Sequence, residues 1–296
     1  MQRSLPSALI AGLVLAGIGD STALESEPVE RPGIRRAQFV TDVSAIVPGE
    51  PFIVGLLLEP LPGHHTYWRG PGIVGVATQI DWTLPEGFVA GELIWPPPTE
   101  VLMAGIVAHG YKSPVLLLTE IAPPAKIEAE EIAVTARASW MSCAVSCNPG
   151  FADLSLTLPV AKPGTEPPRD ESITKAFANV RAAAPRPAPS SWNFAVRLAA
   201  PDRIELDLVI PGLDPAAAAR MRFFCDDMQV DSDEPQQVSA TDPAKGALRL
   251  TLARPEFAPK APSSLSGVLH CPGGWPGIGS PFVEISVPWP KGTFPE

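Results

Sequence analysis

Proline limits what this chain can fold into more than any other residue. It fills 37 of 296 positions, more than twice its usual share of about 5%. Inside a helix, proline removes a hydrogen bond and clashes with the preceding turn. Inside a sheet it is confined to edges, first residues and bulges. Long helices and wide central strands are therefore excluded over most of the sequence. Hydrophobic residues still make up 45%, so the chain can bury a core and is not a disordered proline-rich polymer. The combination predicts many short strands joined by proline-set turns, and the length predicts two domains of ordinary size. A formal charge of −10 argues against nucleic acid or an anionic membrane surface as partner.

The first residues read as an address. Arg3 supplies a positive start, Ala8 to Gly19 is an apolar stretch, and Ser21-Thr22-Ala23 places small residues at a cleavage point after Ala23. This is the pattern of a secretory signal peptide over residues 1–23. The apolar run falls short of the roughly 20 residues a membrane span needs. The mature protein is therefore expected outside the cytoplasm, where disulfides persist. Residues 24 to about 34 read as a flexible leader.

Strand patterns begin near Ala37. Ala37-Val43, Pro51-Leu58, Thr78-Leu84, Phe88-Trp95, Val115-Ile121, Ile132-Trp140 and Leu154-Leu158 are separated by turn signals such as Pro62-Gly63, Pro96-Pro97-Pro98 and Pro123-Pro124. Short strands at this spacing predict an antiparallel sandwich over residues 35–162. Residues 163–191 read as proline-rich linkers around a short helix. Asp170 is its cap, and Ile173, Phe177 and Val180 recur at helical spacing. A second β-rich block, 192–296, includes Asn193-Leu198, Arg203-Ile210, Ala247-Leu252 and Phe282-Val287, with one helical turn after Asp214-Pro215. The expected fold class is all-β: two β-sandwich domains joined by a short helix and proline-rich linkers.

The chemistry concentrates in Trp140-Met141-Ser142-Cys143-Ala144-Val145-Ser146-Cys147-Asn148-Pro149-Gly150. A disulfide requires α-carbons within about 7 Å, so the loop between Cys143 and Cys147 must fold back, with a turn set by Asn148, Pro149 and Gly150. Closing so short a loop removes little unfolded-state entropy. A purely structural role is thus weakly motivated, whereas redox-active pairs are commonly close in sequence and strained or exposed. A static cross-link and a metal-binding thiol pair remain as alternatives. None of His64, His65, His109 or His270 stands at a metal-like spacing from the pair, and neither a metal nor another cofactor is expected. No lysine, arginine or histidine lies within the loop to lower a thiol pKa, so activation must come from residues that folding brings close. Cys225 and Cys271, 46 positions apart, are expected to form a structural disulfide. His64 and His65, after Pro62-Gly63, are expected at the surface. Most of the seven tryptophans are expected inside the sandwiches.

The runs His65-Thr66-Tyr67-Trp68-Arg69-Gly70-Pro71-Gly72, Trp82-Thr83-Leu84-Pro85-Glu86-Gly87, Ile94-Trp95-Pro96-Pro97-Pro98 and Gly110-Tyr111 occur in order before the cysteine run. Together they resemble the N-terminal periplasmic domain of the thiol:disulfide interchange protein DsbD, over roughly residues 35 to 162. The cysteine spacing is closer to that of the related ScsB-type proteins. The resemblance implies an immunoglobulin-like fold and protein-disulfide reductase chemistry at Cys143 and Cys147. It implies a membrane-embedded thiol-disulfide electron donor, and periplasmic thioredoxin-like or disulfide-isomerase-like acceptors. It implies a cap over the pair formed by Glu100 to Tyr111, with Tyr67, Met103, Tyr111 and Trp140 as cap or neighbouring groups. By family position Cys147 would meet the partner and Cys143 would resolve the mixed disulfide. These 296 residues contain no later hydrophobic span and no CxxC pair, so a separate membrane protein is expected to supply the electrons. The pathway, whether copper stress or cytochrome c biogenesis, is not specified. The competing reading is a non-catalytic, partner-binding β-sandwich with structural disulfides.

Overall fold

The computed structural model describes residues 24–294; the expected signal peptide lies outside the described residues. The first half contains β1 (Val29–Arg31), β2 (Ile34–Thr41), β3 (Phe52–Pro60), β4 (Thr66–Tyr67), β5 (Gln79–Thr83), β6 (Val89–Ile94), β7 (Thr99–Met103), β8 (Ile106–Tyr111), β9 (Val115–Ala122), β10 (Glu131–Cys143) and β11 (Cys147–Pro159). Helix α1 (Glu171–Ala183) follows. Then come β12 (Arg186–Pro187), β13 (Asn193–Ala200), β14 (Arg203–Val209), the single turn α2 (Pro215–Ala218), β15 (Arg222–Cys225), β16 (Gln237–Asp242), β17 (Ala247–Ala253), β18 (Ser264–His270) and β19 (Phe282–Pro288).

The fold is all-β, with two immunoglobulin-like sandwiches. In the first, a sheet of order β1-β2-β3-β9-β6 shares a core with a sheet of order β11-β10-β5. Every second residue of β10 and β11 is buried, the period that places one face on the core and one in water. Phe39, Leu56, Leu117, Val134 and Leu156 fill that core, and Phe39 stacks on Trp82 with ring centroids 5.2 Å apart. The second sandwich pairs the sheets β12-β19-β18-β15 and β13-β14-β17-β16 around Leu206, Leu250, Leu269 and Ile285. Six tryptophans are buried, and Trp82 is partly so. A third, small sheet of order β4-β8-β7 lies outside both sandwiches in the ordering of strands and forms the cap described below.

Asp170 caps α1 as expected, its carboxylate accepting from Ser172 N and Ile173 N at 2.9 Å each. Ile173 and Phe177 pack on Val40 and Leu118 of the first sandwich. Residues 24–34, by contrast, are not a loose leader. Ser26 N donates to Phe39 O and Thr41 N to Leu24 O, both at 2.8 Å, and β1 pairs with β2. The reason is that β2 would otherwise present an unpaired row of backbone groups, which this segment satisfies.

Candidate active site

The register of β10 and β11 places the cysteines directly opposite each other. Trp140 pairs with Gly150, Ser142 with Asn148, and Cys143 with Cys147. The loop Ala144-Val145-Ser146 folds back as expected, closed by Ala144 N donating to Ser146 O at 3.0 Å, but the further turn expected at Asn148-Pro149-Gly150 does not form. Those three residues continue the strand. Proline is tolerated there because β11 is an edge strand. Cys143 and Cys147 form a disulfide, with α-carbons 4.1 Å apart. Ser142 anchors the hairpin, its hydroxyl donating to Gly33 O at 3.0 Å.

The two sulfur-bearing residues differ in environment. Cys143 is fully buried, while Cys147 is exposed and follows a turn whose Val145 is 98% exposed. Burial of Cys143 comes from the cap. β7 and β8 form a hairpin through Ala104 and Gly105, both at positive φ. Val101 and Ala108 of this hairpin pack with Tyr67 and Cys143, and Met103, Val74 and Met141 lie against them. The segment Glu100 to Tyr111, expected as a cap from the resemblance, lies in the β7–β8 hairpin.

The β7–β8 hairpin is tied to the disulfide hairpin by β4. Tyr67 pairs with Gly110 of β8. On the other side, His65 N donates to Cys143 O at 2.9 Å and Cys143 N to His65 O at 3.0 Å. His65 is 3% exposed, which overturns the expected surface position. The cause is this exchange of hydrogen bonds with a residue far away in the chain. Its Nε2 lies 3.2 Å from the Tyr67 hydroxyl. Burial, then the nearby charges of Lys112 and His64, lower the pKa of His65. Burial raises that of Tyr67 to about 12, so its hydroxyl keeps its proton. Of the four aromatic and thioether neighbours expected from sequence, Tyr67 and Met103 face the pair. Tyr111, the last residue of β8, and Trp140 of β10 join the first sandwich's core cluster. Tyr111 donates to Pro96 O at 2.7 Å, and burial holds its pKa well above the usual phenol range.

The far side of the cap docks on the second sandwich. Val107 N donates to Asp233 Oδ1 at 2.8 Å, and Ser232 Oγ donates to Val107 O at 2.6 Å. Arg69 Nε donates to Asp226 Oδ1 at 2.9 Å, and Arg69 also pairs with Glu284. The rings of His109 and Phe224 meet edge-on, with centroids 4.8 Å apart. Gly70 is required here: a β-carbon on it would lie 2.1 Å from Cys225 O. His109 Nδ1 donates to Gly70 O at 3.0 Å, and burial lowers its pKa to about 4. A cavity of about 190 Å³ in this seam is lined by Glu100, His109, Arg222 and Asp233 among others; neither Cys143 nor Cys147 lines it.

Cys225 and Cys271 do not form the expected disulfide. Cys225 of β15 stands opposite Gly267 of β18, and Cys271 lies four residues beyond Gly267. At about 3.3 Å per strand residue that is roughly 13 Å, well past the reach of a disulfide. Both thiols are buried in the second core. Cys225 Sγ donates to Asp227 Oδ1 at 3.1 Å, and burial raises both thiol pKa values.

Among the described residues no helix is long and apolar enough to cross a membrane. Residues 36–159 match the family model described as the N-terminal domain of thiol:disulfide interchange protein DsbD. Among solved structures, the N-terminal periplasmic domain of ScsB from Proteus mirabilis shares the fold, with a TM-score of 0.62 at 19% identity, covering 90% of this chain and 99% of that one. The C-terminal domain of the Streptococcus agalactiae AgI/II polypeptide BspA aligns over 89% of this chain and 99% of its own at 7% identity, but its TM-score of 0.19 carries no weight. No curated protein matches the chain. The stretch matched by the DsbD N-terminal family model contains both the hairpin disulfide and the β7–β8 hairpin that packs on it.

Proposed function

We propose that this protein is an exported, periplasmic thiol:disulfide relay. It would take two electrons from a membrane-embedded donor and pass them to thioredoxin-like or disulfide-isomerase-like acceptors through Cys143 and Cys147. The observation that carries this reading is the asymmetry of a single disulfide: one sulfur-bearing residue exposed on a hairpin, the other sealed under a cap.

In the reduced form, the Cys147 thiolate attacks one sulfur of the partner's disulfide. A Cys147–partner bond forms and the partner's other sulfur leaves as a thiolate, which takes a proton. Cys143, once deprotonated, attacks Cys147 Sγ. The Cys143–Cys147 bond forms and the partner's second thiolate departs. The partner has gained two electrons and two protons, and the pair has lost them. Recharging by the donor runs the same exchange in reverse.

The test is trapping. Cys143→Ala leaves Cys147 able to attack but unable to be released, so a mixed disulfide should accumulate in periplasmic extract of the producing cell. Cys147→Ala should trap nothing. Absence of any mixed disulfide with Cys143→Ala overturns the relay and leaves a binding module with a static cross-link.

A further inference from the structure

Resolution needs Cys143 as a thiolate, and Cys143 sits where a thiolate is disfavoured. It is fully buried among Tyr67, Val101 and Ala108, and an apolar site raises a thiol's pKa. No cationic side chain lies in the hairpin turn. The fold answers this with one buried polar pair. Cys143 and His65 exchange both backbone hydrogen bonds, at 2.9 and 3.0 Å. Residues paired in that way project their side chains to the same face of the sheet. Tyr67, two residues on, shares that face. Its hydroxyl lies 3.2 Å from His65 Nε2, and it shares one buried cluster with Cys143. Gly75 closes over Tyr67, where a β-carbon would fall 2.2 Å from the ring. The ring is therefore held in place and the hydroxyl cannot swing away.

We propose that His65, acting through the Tyr67 hydroxyl, accepts the proton of Cys143 and so sets the rate at which the mixed disulfide is resolved. The inference rests on the relay reading, which makes Cys143 the resolver. The Cys143 S–H proton passes to the Tyr67 oxygen as the Tyr67 proton passes to His65 Nε2. The freed thiolate attacks Cys147 Sγ, and the departing partner thiolate takes a proton in turn. Burial keeps His65 neutral and able to accept near neutral pH. The groups that face it are Tyr67 on β4, Cys143 on β10, and the charges of His64 and Lys112. The new thiolate is the anion that would hold the imidazolium once formed.

The measurement needs no biological partner. The reduced full-length protein is mixed with 5,5′-dithiobis(2-nitrobenzoate) in a stopped-flow instrument between pH 5.5 and 9. Attack by Cys147 releases one thionitrobenzoate, and resolution by Cys143 releases a second. His65→Gln and Tyr67→Phe are each expected to slow the second release about tenfold or more, the low end for losing a positioned base, and to move its pH midpoint upward. The first release should be unchanged. Tyr67→Phe keeps the ring and its packing, so it reports on the hydroxyl even if His65→Gln folds poorly. A second release with unaltered rate and pH profile in both variants overturns the proposal, and so does slowing in His65→Gln alone. A failed partner-trapping experiment would instead overturn the relay and leave this proton result standing.

Discussion

Two cysteine pairs sit in two β-sandwiches, and they differ in one geometric respect. Cys143 and Cys147 share a register position on neighbouring strands. Cys225 lies on β15 and Cys271 just past the end of the neighbouring β18, four positions out of register. The first pair closes into a bond with one member open to solvent. The second remains two thiols inside a core. Proximity along the chain did not decide this, since loops of either length can be bridged. Strand register decided it, because a β-ladder permits a cross-strand disulfide only between facing residues.

The contrast is open to attack in order of expected effect. Replacing Cys147 or Cys143 by alanine should abolish disulfide-reductase turnover in an insulin reduction assay with donor supplied, whereas Cys225→Ala or Cys271→Ala should retain most of it. Comparable loss from the second pair would erase the distinction drawn between them. The bond itself should show a reduction potential well above about −300 mV, the level below which static disulfides of secreted proteins lie. Equilibration with glutathione or dithiothreitol buffers measures this, and a value below that level favours a permanent cross-link. Maleimide labelling of the reduced native protein should modify Cys147 rapidly. Cys225 should label orders of magnitude more slowly, on the timescale of unfolding, because burial holds its thiol neutral.

The seam between the two regions carries its own pH dependence. His109 is buried, with a pKa near 4 against about 6.5 when unfolded. Below pH 6.5 the unfolded chain binds a proton there that the folded chain refuses. Stability should therefore fall as pH drops from about 6.5 to 4, by on the order of 3 kcal/mol at 1.36 kcal/mol per unit. His109→Gln should flatten that limb in urea titrations across the range. The smallest effect is expected from Cys225→Ala, about 1 kcal/mol in the same titrations, a common cost of a core substitution.

The sandwich class and the disulfide hairpin were legible because both are written locally. Proline-set turns bound most strands of the first sandwich, and the helix announces itself through Asp170, Ile173 and Phe177. What escaped was made by distant pairing. β7 and β8 lack clear alternation and turn on Ala104-Gly105, a weak turn signal, so the cap reads as a loop. β15 and β18 carry no periodic mark that separates them from their surroundings. His65 follows a proline–glycine turn and reads as exposed; only its ladder with Cys143 buries it. The same blindness to register made Cys225 and Cys271 look like partners on loop-closure entropy alone.

The seam has a practical corollary. Trp68 of the first sandwich shares one apolar cluster with Phe224 and Val268 of the second, and Arg69 finds its carboxylate partners there. A fragment ending near residue 162 would leave that tryptophan wetted on one side and that guanidinium without its counter-ions. Val107 would lose both bonds that tether β8 of the cap. Kinetics gathered on such an excised half would describe a lid hung from one hinge, whereas the intact chain holds it from two.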